Sequence, residues 1–217
     1  FQHGGVYSGM IFNLNKKIIM STGARLSFSK LVALFKNDIY NDFNELFENI
    51  EQQSLAPSAN LGFTANKNDF RFRLNFATGF RAPNLDDLAK LGESSGYIFE
   101  IPNPNIKPEY ISGSDFEINY QKSLGHYISN FSLNTYYSYL FNSIVKSQAF
   151  FKDSSYHFDG QDNYYYYQKT NSGKGFIYGS SFEFNLKSTA NGFGITGGVN
   201  YTKGVDASNN EPFSGIP

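Results

Sequence analysis

The sequence predicts an all-β fold, part of a large antiparallel transmembrane β-barrel with short turns on one rim and long loops on the other. Three observations predict it. Apolar and polar residues alternate with a period of two over most of the chain. No run approaches the roughly 18 apolar residues that a membrane-crossing helix needs. The connections between alternating stretches come in two sizes, and the sizes themselves alternate.

The period fixes the strands. Phe70, Phe72, Leu74 and Phe76 alternate with Arg71, Arg73 and Asn75, and Phe116, Ile118 and Tyr120 alternate with Asp115, Glu117 and Asn119. From Tyr127 to Phe141 the odd positions are mostly apolar or aromatic and the even ones mostly Asn and Ser; Phe182, Phe184 and Leu186 alternate with Ser181, Glu183 and Asn185. A helix would scatter these residues around its circumference, because its side-chain period is 3.6. Eight strands follow: Gly4–Leu14, Ile18–Val32, Leu55–Ala65, Phe70–Gly79, Ile111–Gln121, Tyr127–Val145, Tyr164–Lys187 with a bulge or bend at Gly173–Gly175, and Phe193–Gly204.

Short connections fall at Asn15–Lys17, Asn66–Asp69, Lys122–Gly125 and Ser188–Gly192, and long ones at Phe35–Ser54, Phe80–Tyr110 and Lys146–Asp162. Up-and-down strands place successive turns at opposite ends, so all the short turns share one rim. Outer-membrane barrels have this asymmetry, with strands alternating apolar-out and polar-in. A soluble sandwich or lipocalin-like barrel also alternates, but its apolar face points inward and its strands run about 5–6 residues. Polar positions such as Arg71, Arg73, Asp115, Glu117, Asn119 and Glu183 suit a wide wet lumen, where the arginines are expected to pair with the acids. A closed barrel of eight strands fills its interior with its own side chains, so the long loops favour a larger barrel.

Composition narrows function. The 217 residues carry a net charge of −1, 23 Phe, 16 Tyr, no Cys and no Trp. No disulfide framework or thiolate metal site is available, and the balanced charge gives no reason to expect nucleic acid. No catalytic triad, phosphate-cradling loop or zinc spacing stands out, so the chain is read as no enzyme, with no catalytic residue, metal ligand set or cofactor. The first residues, FQHGGVYSGM, and the last, EPFSGIP, read as cuts within a longer protein, so residues 1–217 are expected to be a segment of one barrel domain.

The connection from Gly79 to Tyr110 holds four of the seven prolines: Pro83, Pro102, Pro104 and Pro108. They fix φ and remove backbone donors, which lets a long loop hold a shape. Within it Asn84 caps a short helical turn carrying Leu85, Leu88 and Leu91. FRAP at Phe80–Pro83, followed by NPNI at Asn103–Ile106 and KPE at Lys107–Glu109, resembles the paired boxes of TonB-dependent outer-membrane receptors, most closely those of Bacteroidetes type. The terminal EPFSGIP is similar to a segment found several strands later in that family. The resemblance covers the chain from about Gly4 onward and implies the C-terminal half of the barrel, with the plug domain, TonB box and barrel closure outside this chain.

It further implies the bacterial outer membrane, with lipid around the wall, the TonB complex as partner through the plug, and a small-molecule or chelate ligand. The activity implied is energised import of a scarce nutrient: an iron chelate, a siderophore or a haem-like ligand. In haem receptors of the family the loop between the boxes carries a histidine; here Gly92–Ile101 reads GESSGYIFEI, with none. Phe80, Arg81, Pro83, Asn103, Pro104 and Asn105 are expected to shape the loop, the Arg81 fork tying carbonyls or a carboxylate together at its base. The ligand-contact candidates are Tyr97, the only haem-iron ligand type in that interval, His157 in SYHFDG, and Tyr164 and Tyr166 in DNYYYYQK. The tyrosine run reads more readily as an interfacial girdle than as a binding platform, and Asn37–Gln53 as a solvated acidic loop with helical spacing. A passive porin-like or adhesin barrel without energy coupling is the rival reading, and a soluble β-rich module a third.

Overall fold

The computed structural model describes residues 1–34, 49–94, 97–151, 154, 156–158, 163–190, 192–208 and 211–212. The main strands are β1 (Gln2–Asn13), β2 (Ile18–Leu34), β3 (Asn49–Lys67), β4 (Phe70–Arg81), β7 (Glu109–Leu124), β8 (Tyr127–Gln148), β10 (Asn163–Ser188), β11 (Gly194–Asp206) and β12 (Glu211–Pro212). Between β4 and β7 lie helix α1 (Leu85–Ala89) and short strands β5 (Gly92–Ser94) and β6 (Ile98–Glu100); β9 (Tyr156–Phe158) precedes β10. The main strands follow one another in the sheet in the order β1-β2-β3-β4-β7-β8-β10-β11-β12, each neighbour antiparallel. Most of the acidic Asn37–Gln53 segment lies outside the described residues, and its last residues, Asn49–Gln53, extend β3. The tail motif EPFSGIP is described only at Glu211–Pro212.

Register shows why the period is two. Cross-strand partners share a face, and one row runs Ile18, Ala65, Phe72, Ile118, Leu133, Phe182, Val199 across seven strands. The next row is Thr64, Arg73, Glu117, Asn134, Ser181, Asn200, polar throughout. A one-residue slip would exchange the faces, so the ladders from β3 to β11 are pinned by the same division, which breaks down at Ile19, Tyr7 and Ile11 on β2 and β1. On the polar face Arg73 donates to Glu117 at 2.8 Å and the Asn75 amide to Asp115 at 2.8 Å, while Arg71 donates to Asn66 at 3.2 Å. The apolar face stays uncovered: Leu133 is 39 % exposed, Phe131 42 % and Val199 67 %. Water does not tolerate so wide an apolar surface on a folded protein, and lipid does.

The short turns, Leu14–Lys17, Asn68–Asp69, Gly125–His126 and Thr189–Phe193, share one rim. The turn residues suit their geometry: Asn68 and Gly125 have φ of 54° and 57°. The other rim carries the long connections and also one short one, between β11 and β12.

Two irregularities interrupt the wall. The β8–β10 register shifts between Thr170 and Gly173 and again between Gly173 and Gly175, at the predicted bend. Opposite it Asn142 has φ of 54° and its carbonyl accepts from the Asn171 amide at 2.9 Å. The second is a seam. The β3–β4 ladder stops at Asn60–Ala77, although β3 continues along β2 to Asn49 and β4 along β7 to Arg81. The Thr78 hydroxyl ends it, accepting from the Ala59 N–H at 2.9 Å and donating to the Ala59 carbonyl at 3.4 Å. Pro57, two residues on along the same strand edge, has no N–H to offer β4.

Candidate ligand site

Above the seam the β4–β7 loop folds back onto the polar face. α1 forms because Asn84 and Asp87 close a capping box: the Asn84 side chain accepts from the Asp87 N–H at 2.8 Å and the Asp87 carboxylate from the Asn84 N–H at 3.1 Å. Its buried Leu88 meets Leu31 and Ala33 of β2, Ile50 of β3 and Ile106 of the loop. Leu31, Ala33 and Ile50 belong to the polar-face parity, so here that face turns apolar to receive the loop. A second cluster joins Phe99 and Ile101 to Ala149 and Tyr166. It forms because β6 pairs in parallel with the extended start of β10, Ile98–Glu100 against Tyr165–Tyr167.

Polar contacts fix the same docking. Arg81 donates Nη1–H to Asp87 at 2.7 Å and Nε–H to Glu109, and Lys169 reaches Asp87 at 3.1 Å and Asp86 at 3.3 Å. The other Glu109 oxygen accepts from the Ile144 N–H at 2.6 Å and the Ser143 hydroxyl at 3.1 Å, covering the backbone donor beside the Asn142 irregularity. Asn103 donates from its side chain to the Lys169 carbonyl at 2.8 Å and accepts from the Asn105 N–H at 3.0 Å. Gln52 of β3 donates to the Ile106 carbonyl at 2.7 Å. Glu100, 2 % exposed, is held by Lys146 at 2.6 Å and Lys90 at 3.0 Å. Burial raises the pKa of both Asp87 and Glu100, but the N–H of Asn84, Arg81 and Lys169 around the first and Lys146 and Lys90 around the second more than offset it. Both carboxyls therefore sit below the ordinary carboxylate range.

The structure distributes the ligand-contact candidates unequally. Tyr97 is 57 % exposed with φ of 59°, and its ring centroid lies 5.9 Å from that of Tyr164. His157 pairs through its backbone with Tyr164 in the β9–β10 ladder. Tyr166 is 5 % exposed and packs edge-on against Phe99 at 5.8 Å, so its ring belongs to the loop interior instead of the surface. Tyr165, 51 % exposed, was not singled out by sequence; the alternation within YYYY is the signal that separates it from Tyr166. Among the box residues Pro83 is buried, Phe80 is half-buried opposite Tyr110, and Pro104 and Asn105 are exposed. Tyr110, Phe141 and Tyr139 stack on the outward face of β7 and β8, with ring centroids 5.4 Å and 6.0 Å apart. Among the described residues no cluster of three or more His, Asp or Glu side chains is placed to hold a metal ion.

The family model described as TonB dependent receptor-like, beta-barrel matches residues 1–217. The chain belongs to this receptor-barrel family. Membership sets the barrel in the bacterial outer membrane, with the apolar face toward lipid and the polar face toward the lumen, in a family of receptors and not of enzymes. The fold is similar to part of the copper transporter OprC, with a TM-score of 0.73 and 18 % identity over 99 % of this chain and 30 % of that one. The FrpB iron transporter from Neisseria meningitidis gives 0.56 at 13 % identity, over 94 % of this chain and 26 % of that one. The siderophore receptor PirA from Pseudomonas aeruginosa gives 0.56 at 14 %, over 93 % and 41 %. The receptor barrel described here thus spans between about a quarter and two fifths of those proteins. Comparison with curated proteins yields no match.

Proposed function

We propose that this chain is the segment of an outer-membrane importer that captures a scarce nutrient, an iron chelate, siderophore or haem-like ligand, and that uptake draws on energy delivered by the TonB complex through a plug domain outside residues 1–217. The observation that carries this reading is the β4–β7 loop. It is held to β2, β3, β8 and β10 by two apolar clusters and two ionic groups, and so forms a firm cap at the lumen mouth. A passive pore gains nothing from a cap of this kind, whereas a receptor needs a preorganised surface. The similar folds, one transporting copper, one iron and one a receptor for siderophore, support the metal-chelate class.

Tyr97, Tyr164 and Tyr165, with His157 on the adjoining strand, are the proposed contact residues. Their rings offer broad apolar faces with hydroxyl tips, suited to a flat, partly aromatic chelate. Tyr166 supports them from beneath, and Phe80, Arg81, Pro83, Asn103, Pro104 and Asn105 hold the cap in place.

The test is uptake of labelled iron chelates by cells expressing the full-length receptor, with and without TonB, alongside direct binding to the purified protein. Binding that survives loss of TonB with uptake that does not is the expected result. TonB-independent uptake would favour the porin-like rival, and absence of binding to any chelate would remove the metal-chelate class.

A further inference from the structure

The two register shifts in the β8–β10 ladder are a matched pair. Asn171 and Ser172 of β10 stand opposite Ile144 alone, between the rungs Thr170–Val145 and Gly173–Ser143. Phe141 and Asn142 of β8 stand opposite Lys174 alone, between Gly173–Ser143 and Gly175–Leu140. Each is a bulge of two residues against one, and a bulge bends its strand. Because they lie on opposite strands their offsets cancel, and the ladder resumes beyond them in its old register. An arm therefore leaves the wall at this joint, β8 from Ser143 to Gln148 against β10 from Tyr167 to Thr170. Its β10 edge continues to Tyr165 and Tyr164 and carries β6 along Tyr165–Tyr167.

The end of the β4–β7 loop splints the joint. Lys107 precedes Pro108, which disfavours helical backbone there. The Asn171 carboxamide accepts from the Lys107 N–H at 2.7 Å and donates to the Lys107 carbonyl at 2.8 Å, so a side chain supplies the rung that a neighbouring strand would. Its second amide hydrogen goes to the Asn142 carbonyl at 2.9 Å, inside the β8 bulge and one residue past the last β7–β8 rung. Glu109, two residues further along the loop, takes the Ile144 N–H opposite the β10 bulge. One carboxamide thus joins β10, β8 and the loop. Aspartate could not donate either hydrogen, and glutamine is one methylene too long for the same fit.

We propose that Asn171 is a positioning residue for the ligand site: by splinting the paired bulges it sets where the arm holds Tyr164 and Tyr165 relative to the wall, without touching ligand itself. The ligand role of those tyrosines rests on the import reading above; the placement of the arm does not. Tyr165 lies six residues before Asn171, about 20 Å of strand, so a change of roughly 10° at the joint moves it by about 3–4 Å. These bonds lie at an exposed rim, where water can replace each of them. Losing Asn171 therefore costs the fold little and the arm its direction.

The experiment places nitroxide labels on the full-length receptor through Gln148→Cys on the arm and Lys203→Cys on β11, both exposed positions, and reads their separation by pulsed electron resonance. Residues 1–217 contain no cysteine of their own, and any outside them is replaced by serine. One narrow distance is expected with Asn171 in place. Asn171→Leu keeps the shape and removes all three bonds, and should broaden or shift that distance by about 3 Å with the denaturation midpoint unchanged. Asn171→Asp keeps only the acceptor and should fall between the two. Haemin, titrated by quenching of tyrosine fluorescence, should bind Asn171→Leu about tenfold more weakly. If the receptor with Asn171 binds no haemin, the haem option falls and the distances still decide for or against Asn171. Distances that stay narrow and unshifted in both variants overturn the proposal. So does broadening matched by a lower midpoint, which marks a general loss of stability.

Discussion

Arg81 and Glu109 are cross-strand partners on the last rung of the β4–β7 ladder, and the same guanidinium that donates to Glu109 donates through Nη1 to Asp87 on α1, 2.7 Å away. One side chain thus ties the first and last residues of the wall around the loop to the helix inside it. Lysine could not do so, because a single ammonium lacks the fixed fork that spans both acids.

Arg81→Ala should therefore loosen the cap while leaving the wall intact. Glu109 keeps its Ser143 and Ile144 donors and Asp87 keeps Lys169, so the cost is that of one charged hydrogen-bonding group, about 1–3 kcal/mol. Amide exchange should rise by roughly ten- to a hundredfold across the described part of residues 82–108, with β7 and β8 unchanged. Unaltered exchange in the loop would show that Arg81 does not hold it.

Acid should have a similar effect. Asp87 and Glu100 both have depressed pKa values, below their ordinary 3.8 and 4.5. The loosened loop then binds protons more readily than the docked one, so their contribution is full above the ordinary values and fades as pH falls through the depressed ones. Near-UV circular dichroism of the tyrosines should hold steady from neutral pH to about 5 and decline below about 4. A decline centred near neutrality would point to other groups.

Gly179 is confined by its neighbours. A Cβ there would stand 2.4 Å from the Tyr201 carbonyl and 2.5 Å from the Tyr136 hydroxyl, which itself bonds to Thr202 at 2.7 Å. Gly179→Ala must displace Tyr136, break that bond and push back the Tyr201 backbone, at a cost of at least about 1–3 kcal/mol. The denaturation midpoint should fall, and Tyr136→Phe added to the variant should cost less than it does alone.

Thr78→Val keeps the shape of the seam and removes its hydroxyl. The Ala59 N–H and carbonyl then lose their partner at the edge of a lipid-facing hollow, for about 1–3 kcal/mol. Unfolding of the refolded barrel in urea measures it; Thr78→Ser should retain most of the stability.

The wall was legible in the sequence because its cause is local: every second side chain meets lipid, so the period is written along each strand. The α1 cap at Asn84 and the bend at Gly173–Gly175 were legible for the same reason, each being a short-range backbone requirement. What lay beyond reach was everything made by distant partners. β3 starts at Asn49 instead of Leu55 because Ile50 finds Leu88 and Ile106, and NIEQQ carries no trace of them. The burial of Tyr166 depends on Phe99 from another loop; the alternation within YYYY separates Tyr165 from Tyr166 but does not say which of the two is covered. The seam had a visible sign in Pro57, within an otherwise regular strand, whose meaning depended on knowing which neighbour its edge would face.

The parallel pairing of β6 with β10 sets an order of assembly. Asn103 and Lys107 find their partners 66 and 64 residues downstream, and Lys169 closes on Asp86 across 83. None of these anchors exists until β10 has joined the sheet, so the β6 side of the cap settles after the wall beneath it is built, whereas Leu88 can meet Leu31 and Ile50 before then. A receptor stalled during insertion would therefore present an open mouth to the outside, and the finished cap would be a signature of completed biogenesis.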